Sequence, residues 1–191
     1  MKNKLVSSLI IALLLLPFPL LAADYQLDTK GAHAFIQFKV KHLGYSWLLG
    51  RFNKFDGNFS YYEDNPSASN VSISIDMTSV DSNHAERDKH LRGKDFFEVS
   101  KYPKAKFVST SFHDTKNGKA ILKGNLTLHG VTKAVTLDVE HTGHGADPWG
   151  GNRRGFSATT KLSLKDFNIN FNLGPAAKEV LLFISVEGIK K

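Results

Sequence analysis

Two histidines and a glutamate lie close together in the chain, as His84, Glu86 and His90. Imidazole and carboxylate groups are ordinary zinc ligands, so these side chains raise the question of a metal site. A helix over this segment would place His84 and His90 about 240° apart around its axis, and they could not share a ligand face. The chain also has no His-Glu-x-x-His motif and no cysteine. We therefore expect no metal ion here.

Nucleophilic catalysis and phosphate binding have little support from the sequence. A Ser-His-Asp hydrolase of the common α/β type carries a Gly-x-Ser-x-Gly elbow, and the chain contains none. The glycines between Gly143 and Gly155 do not lie between a strand and a helix, as those of a phosphate-binding loop do. We interpret them as turn residues, in a loop from Gly143 to Asn152.

A short helix is predicted in the charged segment from Ser79 to Phe97, where the alternation typical of strands fails. Asn83 and Glu86 have the spacing of a capping box, and Gly93 is suited to end a helix in the left-handed conformation. The predicted helix therefore spans residues 84–92. We interpret it as a polar lid over one mouth of a barrel.

Four side chains share one face of this helix at about 100° per residue: His84, Arg87, Asp88 and Leu91. Leu91 marks the face as buried, so the three polar side chains turn inward with it. They have two compatible interpretations. They form a hydrogen-bonded network that docks the helix, because buried polar groups need partners, or they contact the polar head of a ligand. An enzyme with His84 as its base is an alternative.

Period-two alternation of apolar and polar residues dominates the rest of the chain and is typical of half-buried strands. Turn residues separate the alternating runs, and Asn117-Gly118 has the composition of a type I′ hairpin turn. About eight antiparallel strands with one apolar face predict an all-β fold, and we favour a closed barrel over a sandwich. Residues 51–62 are interpreted as one long strand. The alternating runs are residues 34–41, 71–77, 122–128, 135–140, 156–164 and 179–187.

The apolar composition leaves the interior of this barrel open to two interpretations. Fourteen phenylalanines and only two methionines form a rigid, bulky set. A barrel of about eight strands is wide enough either to be filled by side chains or to hold one ligand. A solid core would favour a protein that acts through its surface, whereas a hollow one would favour a binding protein.

The N-terminus has the features of a secretory signal. Lys2 and Lys4 precede an apolar run that ends at Leu21, and Pro17 and Pro19 interrupt it before it could span a bilayer as a helix. We predict a signal peptide over residues 1–22, with cleavage after Ala22 or Ala23, and one domain over residues 23–191. The expected location is the periplasm, without a stable membrane anchor.

Charge and cysteine content set further limits on the exported domain. Without cysteine it has no disulfide, so its apolar core alone must hold it together. The formal charge of +7 falls by two when Lys2 and Lys4 are removed. The remaining cations are scattered and favour anionic partners or membrane surfaces over nucleic acid. No residue pattern indicates the oligomeric state, and a homodimer is left open.

Several longer motifs form a set that covers essentially the whole exported domain. They are residues 23–25 (ADY), 42–47 (HLGYSW), 55–57 (FDG), 83–92 (NHAERDKHLR), 102–103 (YP), 130–133 (GVTK), 147–151 (DPWGG) and 173–175 (LGP). This set resembles the YceI-like family of exported polyisoprenoid-binding proteins. The resemblance implies an extended lipocalin-like antiparallel β-barrel whose lumen holds a long isoprenoid or similar lipid. Ala134 departs from the family pattern, which often has proline after Gly-Val-Thr-Lys.

The resulting hypothesis is a periplasmic lipid-binding protein that sequesters or carries a polyisoprenoid or an isoprenoid-quinone-type molecule. It needs no catalysis and no cofactor. Head-group contacts are expected from His84 and Arg87, aligned by Asp88, and Phe96 and Phe97 are expected under the lid. The alternating pattern then assigns the lumen wall to Phe38, Val40, Trp47, Phe55, Phe59, Ile73, Ile75, Phe107, Leu126, Phe156 and Leu182.

Overall fold

The structure is a computed structural model that describes residues 22–191. The predicted signal peptide lies outside the described residues, apart from Ala22. The described range contains eleven strands and one α-helix. Their bounds are β1 Ala23–Leu27, β2 Phe35–His42, β3 Ser46–Phe52, β4 Phe55–Tyr61, β5 Asn70–Asp76, β6 Val80–Asp81, α1 Ala85–Arg92, β7 Lys104–Lys116, β8 Lys119–Leu128, β9 Val131–Ala146, β10 Asn152–Ser163 and β11 Glu179–Lys190.

Eight of these strands close into an antiparallel barrel in the order β1-β4-β5-β7-β8-β9-β10-β11, and β1 pairs with β11 to complete the ring. The predicted eight-stranded, lipocalin-like barrel is thereby confirmed. The other three strands extend the sheet, because β2 pairs with β11, β3 with β2, and β6 with β3. Within residues 22–191, no helix is both long and apolar enough to cross a membrane.

The alternating pattern positions the core, because successive side chains of a strand point to opposite faces. In β2, Ile36 and Phe38 are buried, whereas Gln37 and Lys39 are exposed. The same alternation brings Leu122, Leu126, Leu137 and Leu162 of β8, β9 and β10 to the inside. The barrel therefore has one apolar interior, lined by every strand of the ring.

Two tight hairpins connect consecutive long strands. Asn117 and Gly118 both adopt positive φ, at 54° and 74°, which confirms the predicted turn between β7 and β8. His129 and Gly130 have nearly the same φ values, 50° and 74°, between β8 and β9. These short connections hold the longest strands of the barrel in register.

Two predicted boundaries are wrong. Residues 51–62 do not form one strand, because β3 ends at Phe52 and β4 begins at Phe55. The break occurs where the backbone N–H of Asn53 donates to the carbonyl of Ser79, 3.1 Å away, outside the barrel ladder. The predicted loop from Gly143 to Asn152 is shorter, since β9 continues to Ala146.

Helix α1 is present as predicted, but its caps differ. Asn83 has a φ of 61°, and the N-cap is His84, whose Nδ1 accepts a hydrogen bond from the backbone N–H of Arg87 at 3.2 Å. The predicted capping box is therefore wrong. At the other end Gly93 is extended, with a φ of −76°, so the predicted left-handed cap is also wrong.

Candidate ligand-binding cavity

The barrel encloses two adjoining cavities. The inner cavity, of about 130 Å³, lies in the half of the barrel remote from α1, between residues such as Phe59, Phe112 and Phe156. The mouth cavity, of about 300 Å³, lies beneath α1. The two share lining residues along the barrel axis, which are Ile36, Ile75, Leu126, Leu162 and Leu182. The interior is therefore hollow along much of its length.

The two cavities differ in polarity. The inner cavity is lined by apolar side chains apart from Ser60, Ser69, Asn70 and Thr160. The mouth cavity is also mainly apolar, but its lining includes four basic side chains: Lys41, His42, Arg87 and His90. This combination suits a ligand that has a long apolar part and one polar end.

Three phenylalanine rings lie against glycines of the barrel wall, in the pairs Phe38 with Gly50, Phe107 with Gly124 and Phe59 with Gly188. A Cβ built on Gly50 would lie 2.2 Å from Cζ of Phe38, and one on Gly124 would lie 2.4 Å from Cζ of Phe107. Glycine is therefore required here for close approach. Because these rings pack along the wall, they leave space at the centre of the barrel.

A buried arginine lies at the end of the barrel remote from α1. Arg154 is 2% exposed, and its guanidinium carbon lies 4.1 Å from the ring centre of Tyr61, which lines the inner cavity. The guanidinium forms an ion pair with Glu63 and lies 3.3 Å from Nε2 of His141. Burial, together with the charge of Arg154, lowers the pKa of His141, which favours the neutral imidazole. Charged groups thus occupy this end, in contrast to the apolar cavity beside it.

The predicted polar face of α1 is a docking network. Asp88 is buried and accepts hydrogen bonds from the backbone N–H of Ser82 at 2.8 Å and from its hydroxyl at 2.5 Å. Nε of Arg87 donates to the same hydroxyl oxygen at 2.7 Å. Ser82 therefore links Asp88 to Arg87 and fixes the helix over the mouth. The sequence did not single out Ser82, because it lies before the predicted helix.

His84 does not reach either cavity. It is exposed at the N-cap of α1, where its Nδ1 is already a hydrogen-bond acceptor. The structure therefore places His84 outside both cavities, away from the position in which it was expected to contact a ligand head group or act as a base. Arg87 does line the mouth cavity, whereas Asp88 acts behind it.

Most of the predicted wall residues line a cavity. Trp47 does not: it is 47% exposed on the outer face, so its assignment to the lumen is wrong. Phe55 packs against the buried core without lining either cavity. The eleven that line a cavity are Phe38, Val40, Phe59, Ile73, Ile75, Phe96, Phe97, Phe107, Leu126, Phe156 and Leu182.

His90 is a residue of the mouth that the sequence did not reveal. Its Nε2 lies 3.0 Å from Oδ2 of Asp95, and its ring contacts Phe96 and Phe171 edge-on at centroid distances of 5.0 and 5.2 Å. It is not among the residues predicted to share the buried face with Leu91, yet both line the mouth cavity. The missing information was the position of Phe171, which lies outside any regular element.

One group of potential metal ligands occurs among the described residues, formed by Asp28, His33 and Glu187. The guanidinium of Arg153 occupies their centre, with Nη1 2.6 Å from Oδ2 of Asp28 and also paired with Glu187. The hydrogen bond from Arg153 is the largest cause that lowers the pKa of Asp28 to about 2. Arg153 thus supplies the positive charge that these carboxylates need, and the group forms an ion-pair network.

Known proteins resemble this chain in sequence and in structure. A "UPF0312 protein" of Shewanella sp. (strain W3-18-1) is 53% identical over 191 residues, which is 100% of both chains. The structure of a Campylobacter jejuni YCEI protein matches 80% of this chain and 90% of its own, at 30% identity and a TM-score of 0.71. A polyisoprenoid binding domain from Saccharophagus degradans matches 87% of this chain and 98% of its own, at 16% identity and a TM-score of 0.63, and so shares the fold.

The family model described as "YceI-like domain" matches residues 25–188, from the second half of β1 to near the end of β11. The matched segment includes all or part of every strand of the closed barrel, helix α1 and the residues that line both cavities. The chain therefore belongs to the YceI-like domain family.

Proposed function

We propose that this protein binds one long-chain lipid of the polyisoprenoid class inside its barrel and shields it during storage or transport in the periplasm. The observation that carries this proposal is the pair of adjoining apolar cavities along the barrel axis. The mouth cavity has the size of smaller ligand sites, which begin at about 300 Å³. A solid core, the basis of the surface-interaction alternative, does not fit this interior.

The physical driving force is the removal of hydrocarbon from water. Each buried CH₂ group contributes about 0.8 kcal/mol, so enclosing several isoprene units is favourable without any specific polar contact. Branched and aromatic side chains such as Leu122, Val139 and Phe156 line the inner cavity. Such a wall accepts methyl-branched chains of different length, so the lumen supplies affinity and little specificity.

Specificity is proposed to arise at the mouth cavity. Lys41, His42, Arg87 and His90 all line it, whereas no acidic side chain of residues 22–191 does. These groups donate hydrogen bonds, and Lys41 and Arg87 carry positive charge. The fitting ligand is an isoprenoid whose polar end accepts hydrogen bonds, such as a phosphate or a quinone carbonyl. Its tail then lies toward Phe59 and Phe156 in the inner cavity.

Two further observations support the proposed ligand class and setting. The printed name of the Saccharophagus degradans structure assigns polyisoprenoid binding to that domain, which supports the same ligand class here. The signal-like N-terminus supports export into an aqueous compartment between membranes. An isoprenoid crosses such a compartment slowly unless its tail is shielded, and the barrel would provide the shield.

The test is native mass spectrometry of the protein purified from cells that express its full coding sequence, followed by extraction and identification of bound lipid. We expect a mass above that of the polypeptide. Ala158→Phe inserts a bulky ring into the inner cavity and should abolish the added mass. Thr159→Phe places the same ring on the outer face of β10, because Thr159 is exposed, and should leave lipid bound. A bare polypeptide mass for the wild type would contradict the proposal.

A comparison with His84→Ala separates binding from catalysis. Because His84 is exposed outside both cavities, its loss should leave the bound lipid unchanged in amount and identity. Accumulation of a chemically different lipid in this variant would favour the enzyme alternative.

A further inference from the structure

The turn between β2 and β3 exposes large apolar side chains beside the barrel mouth. Tyr45 is 89% exposed, Leu49 65%, Leu43 59% and Trp47 47%. We call these four residues the hairpin patch. A single exposed leucine is normal on a protein surface, whereas a cluster of four on one hairpin indicates an interaction site.

The register of the hairpin explains why these side chains face outward. Trp47 pairs with Lys41 and Leu49 with Lys39, and the exposed side chains of Trp47 and Leu49 lie on the outer face of β3. Their neighbours Val40 and Leu48 point inward and line the mouth cavity. At the turn, Leu43 has a φ of 52°, which is uncommon for a bulky side chain. The exposure therefore follows from how the hairpin is built.

The charged side chains of the β2–β3 hairpin itself are all basic, and Arg51 among them is paired with Asp81 of β6. No Asp or Glu occurs between Asp28 and Asp56, whereas five Lys or Arg do. Nζ of Lys39 lies 4.9 Å from the centre of the Trp47 ring, and Nζ of Lys41 lies 5.6 Å from it. The patch thus combines apolar and aromatic side chains with a basic border, which is complementary to a surface that is apolar inside and anionic outside.

The hairpin patch is also continuous with the opening of the mouth cavity. Lys41 and His42 line that cavity and directly precede Leu43. Phe171, another cavity-lining residue, is 44% exposed on the same side. Any surface that covers the hairpin patch therefore lies close to the route by which a ligand would enter.

We propose that the hairpin patch docks the protein on an anionic phospholipid bilayer. Trp and Tyr side chains favour the boundary between hydrocarbon and head groups, and lysines next to them are attracted to anionic lipids. Leu43 and Leu49 would insert below the head groups, with Lys39 and Lys41 at their level. Given the proposed function, this docking places the cavity mouth at the membrane, so that a lipid moves between bilayer and barrel without full exposure to water.

Flotation with vesicles tests the docking directly. We expect the purified protein to float with phosphatidylglycerol-containing vesicles, to float far less with phosphatidylcholine alone, and to be released by high salt. The chain has two tryptophans, so Trp149→Phe leaves Trp47 as the only indole. Its emission should shift to shorter wavelength on vesicles and be quenched by brominated lipid chains.

Exposed substitutions separate the patch from the fold. Leu43→Ser with Tyr45→Ser should lower the vesicle partition coefficient at least tenfold. Lys39→Gln and Lys41→Gln should each lower it about fivefold, as expected for one lysine near an anionic surface. The control is Phe183→Ser, because Phe183 is 46% exposed on the barrel wall outside the patch, and it should float like the wild type.

Three results would overturn the proposal: a wild type that stays unbound, patch variants that float normally, or a Trp47 emission that vesicles do not change. If sedimentation instead shows a dimer that Leu43→Ser and Tyr45→Ser dissociate, the patch is an interface between two copies. Native mass spectrometry of the same samples reports bound lipid separately, so a failure of docking is distinguishable from a failure of lipid binding.

Discussion

The ring of Phe38 lies over the backbone of Gly50, its partner across the β2–β3 ladder, so closely that a Cβ on Gly50 would be 2.2 Å from Cζ of Phe38. Phe38 lines the mouth cavity. The size of that cavity therefore depends on a residue with no side chain. Any group added at position 50 must displace the ring, and the hollow interior is the direction in which the ring can move.

Gly50→Ala is therefore expected to fill part of the mouth cavity with the displaced Phe38 ring. Overpacking of this kind lowers the free energy of unfolding by about 1–3 kcal/mol. We also expect less bound lipid per protein molecule. Urea denaturation and native mass spectrometry measure the two effects. Gly143→Ala is the matched control, because nothing lies within 4 Å of a Cβ at that position. If Gly50→Ala and Gly143→Ala have the same free energy of unfolding and the same amount of bound lipid, the Phe38 ring adapts without entering the cavity.

Most strands of the barrel could be predicted from the sequence, because a period of two marks them, although a sandwich would bury their apolar faces as well as a closed barrel does. The position of Trp47 could not. Ser46 pairs with His42 across a three-residue turn, and this turn length decides which face each residue of β3 occupies. A turn one residue longer or shorter would have placed Trp47 in the lumen. Local alternation does not contain that information.

The residues of the candidate site could likewise be predicted from the sequence only in part. Phe156 and Leu182 could be assigned to the lumen because each belongs to a long alternating strand. His90 and Ser82 could not be assigned, because their roles depend on Phe171 and Asp88, which meet them only in the folded chain. The Phe38–Gly50 contact is also invisible in the sequence, since a glycine in a strand indicates equally a bulge, a bend or a close approach.

Asp88→Ala is expected to loosen α1 from the barrel mouth. It leaves the N–H and hydroxyl of Ser82 without their acceptor, a loss of about 1–3 kcal/mol for a buried donor pair. Hydrogen exchange in residues 85–92 should become faster, and bound lipid should dissociate sooner. Asp88→Asn keeps an acceptor oxygen and should restore much of the protection. Glu86→Ala, on the exposed side of the same helix, serves as the control. Unchanged exchange in Asp88→Ala would exclude Ser82–Asp88 as the attachment of the helix.

We expect the Asp28–Arg153 ion pair to make the free energy of unfolding depend on pH in the acid range. Arg153 holds the pKa of Asp28 at about 2 in the folded protein, below its ordinary value of 3.8. A carboxyl group with a lowered folded pKa stabilises the fold fully above its unfolded pKa, and this stabilisation is lost as pH falls toward the folded pKa. The free energy of unfolding should therefore decrease between about pH 4 and about pH 2. Asp28→Asn should be less stable than the wild type at neutral pH. Its free energy of unfolding should change less between about pH 4 and about pH 2. Asp64→Asn, in an exposed turn, should keep the wild-type slope.

In the ion pair of Glu63 and Arg154, the buried member is the cation. We therefore expect removal of Arg154 to cost less stability than removal of its exposed partner. Glu63 is 61% exposed, whereas the guanidinium of Arg154 is almost completely covered and stacks on Tyr61. Glu63→Gln removes the anion but leaves a buried cation, so it should lower the free energy of unfolding by about 1–3 kcal/mol. Arg154→Met removes the buried charge itself and should be close to neutral or stabilising, because an apolar side chain fits the adjoining wall. In Arg154→Met the further change Glu63→Gln should have almost no effect. Urea denaturation of the four proteins measures this coupling, and additive losses would show that Glu63 does not stabilise the charge at the end of the barrel remote from α1.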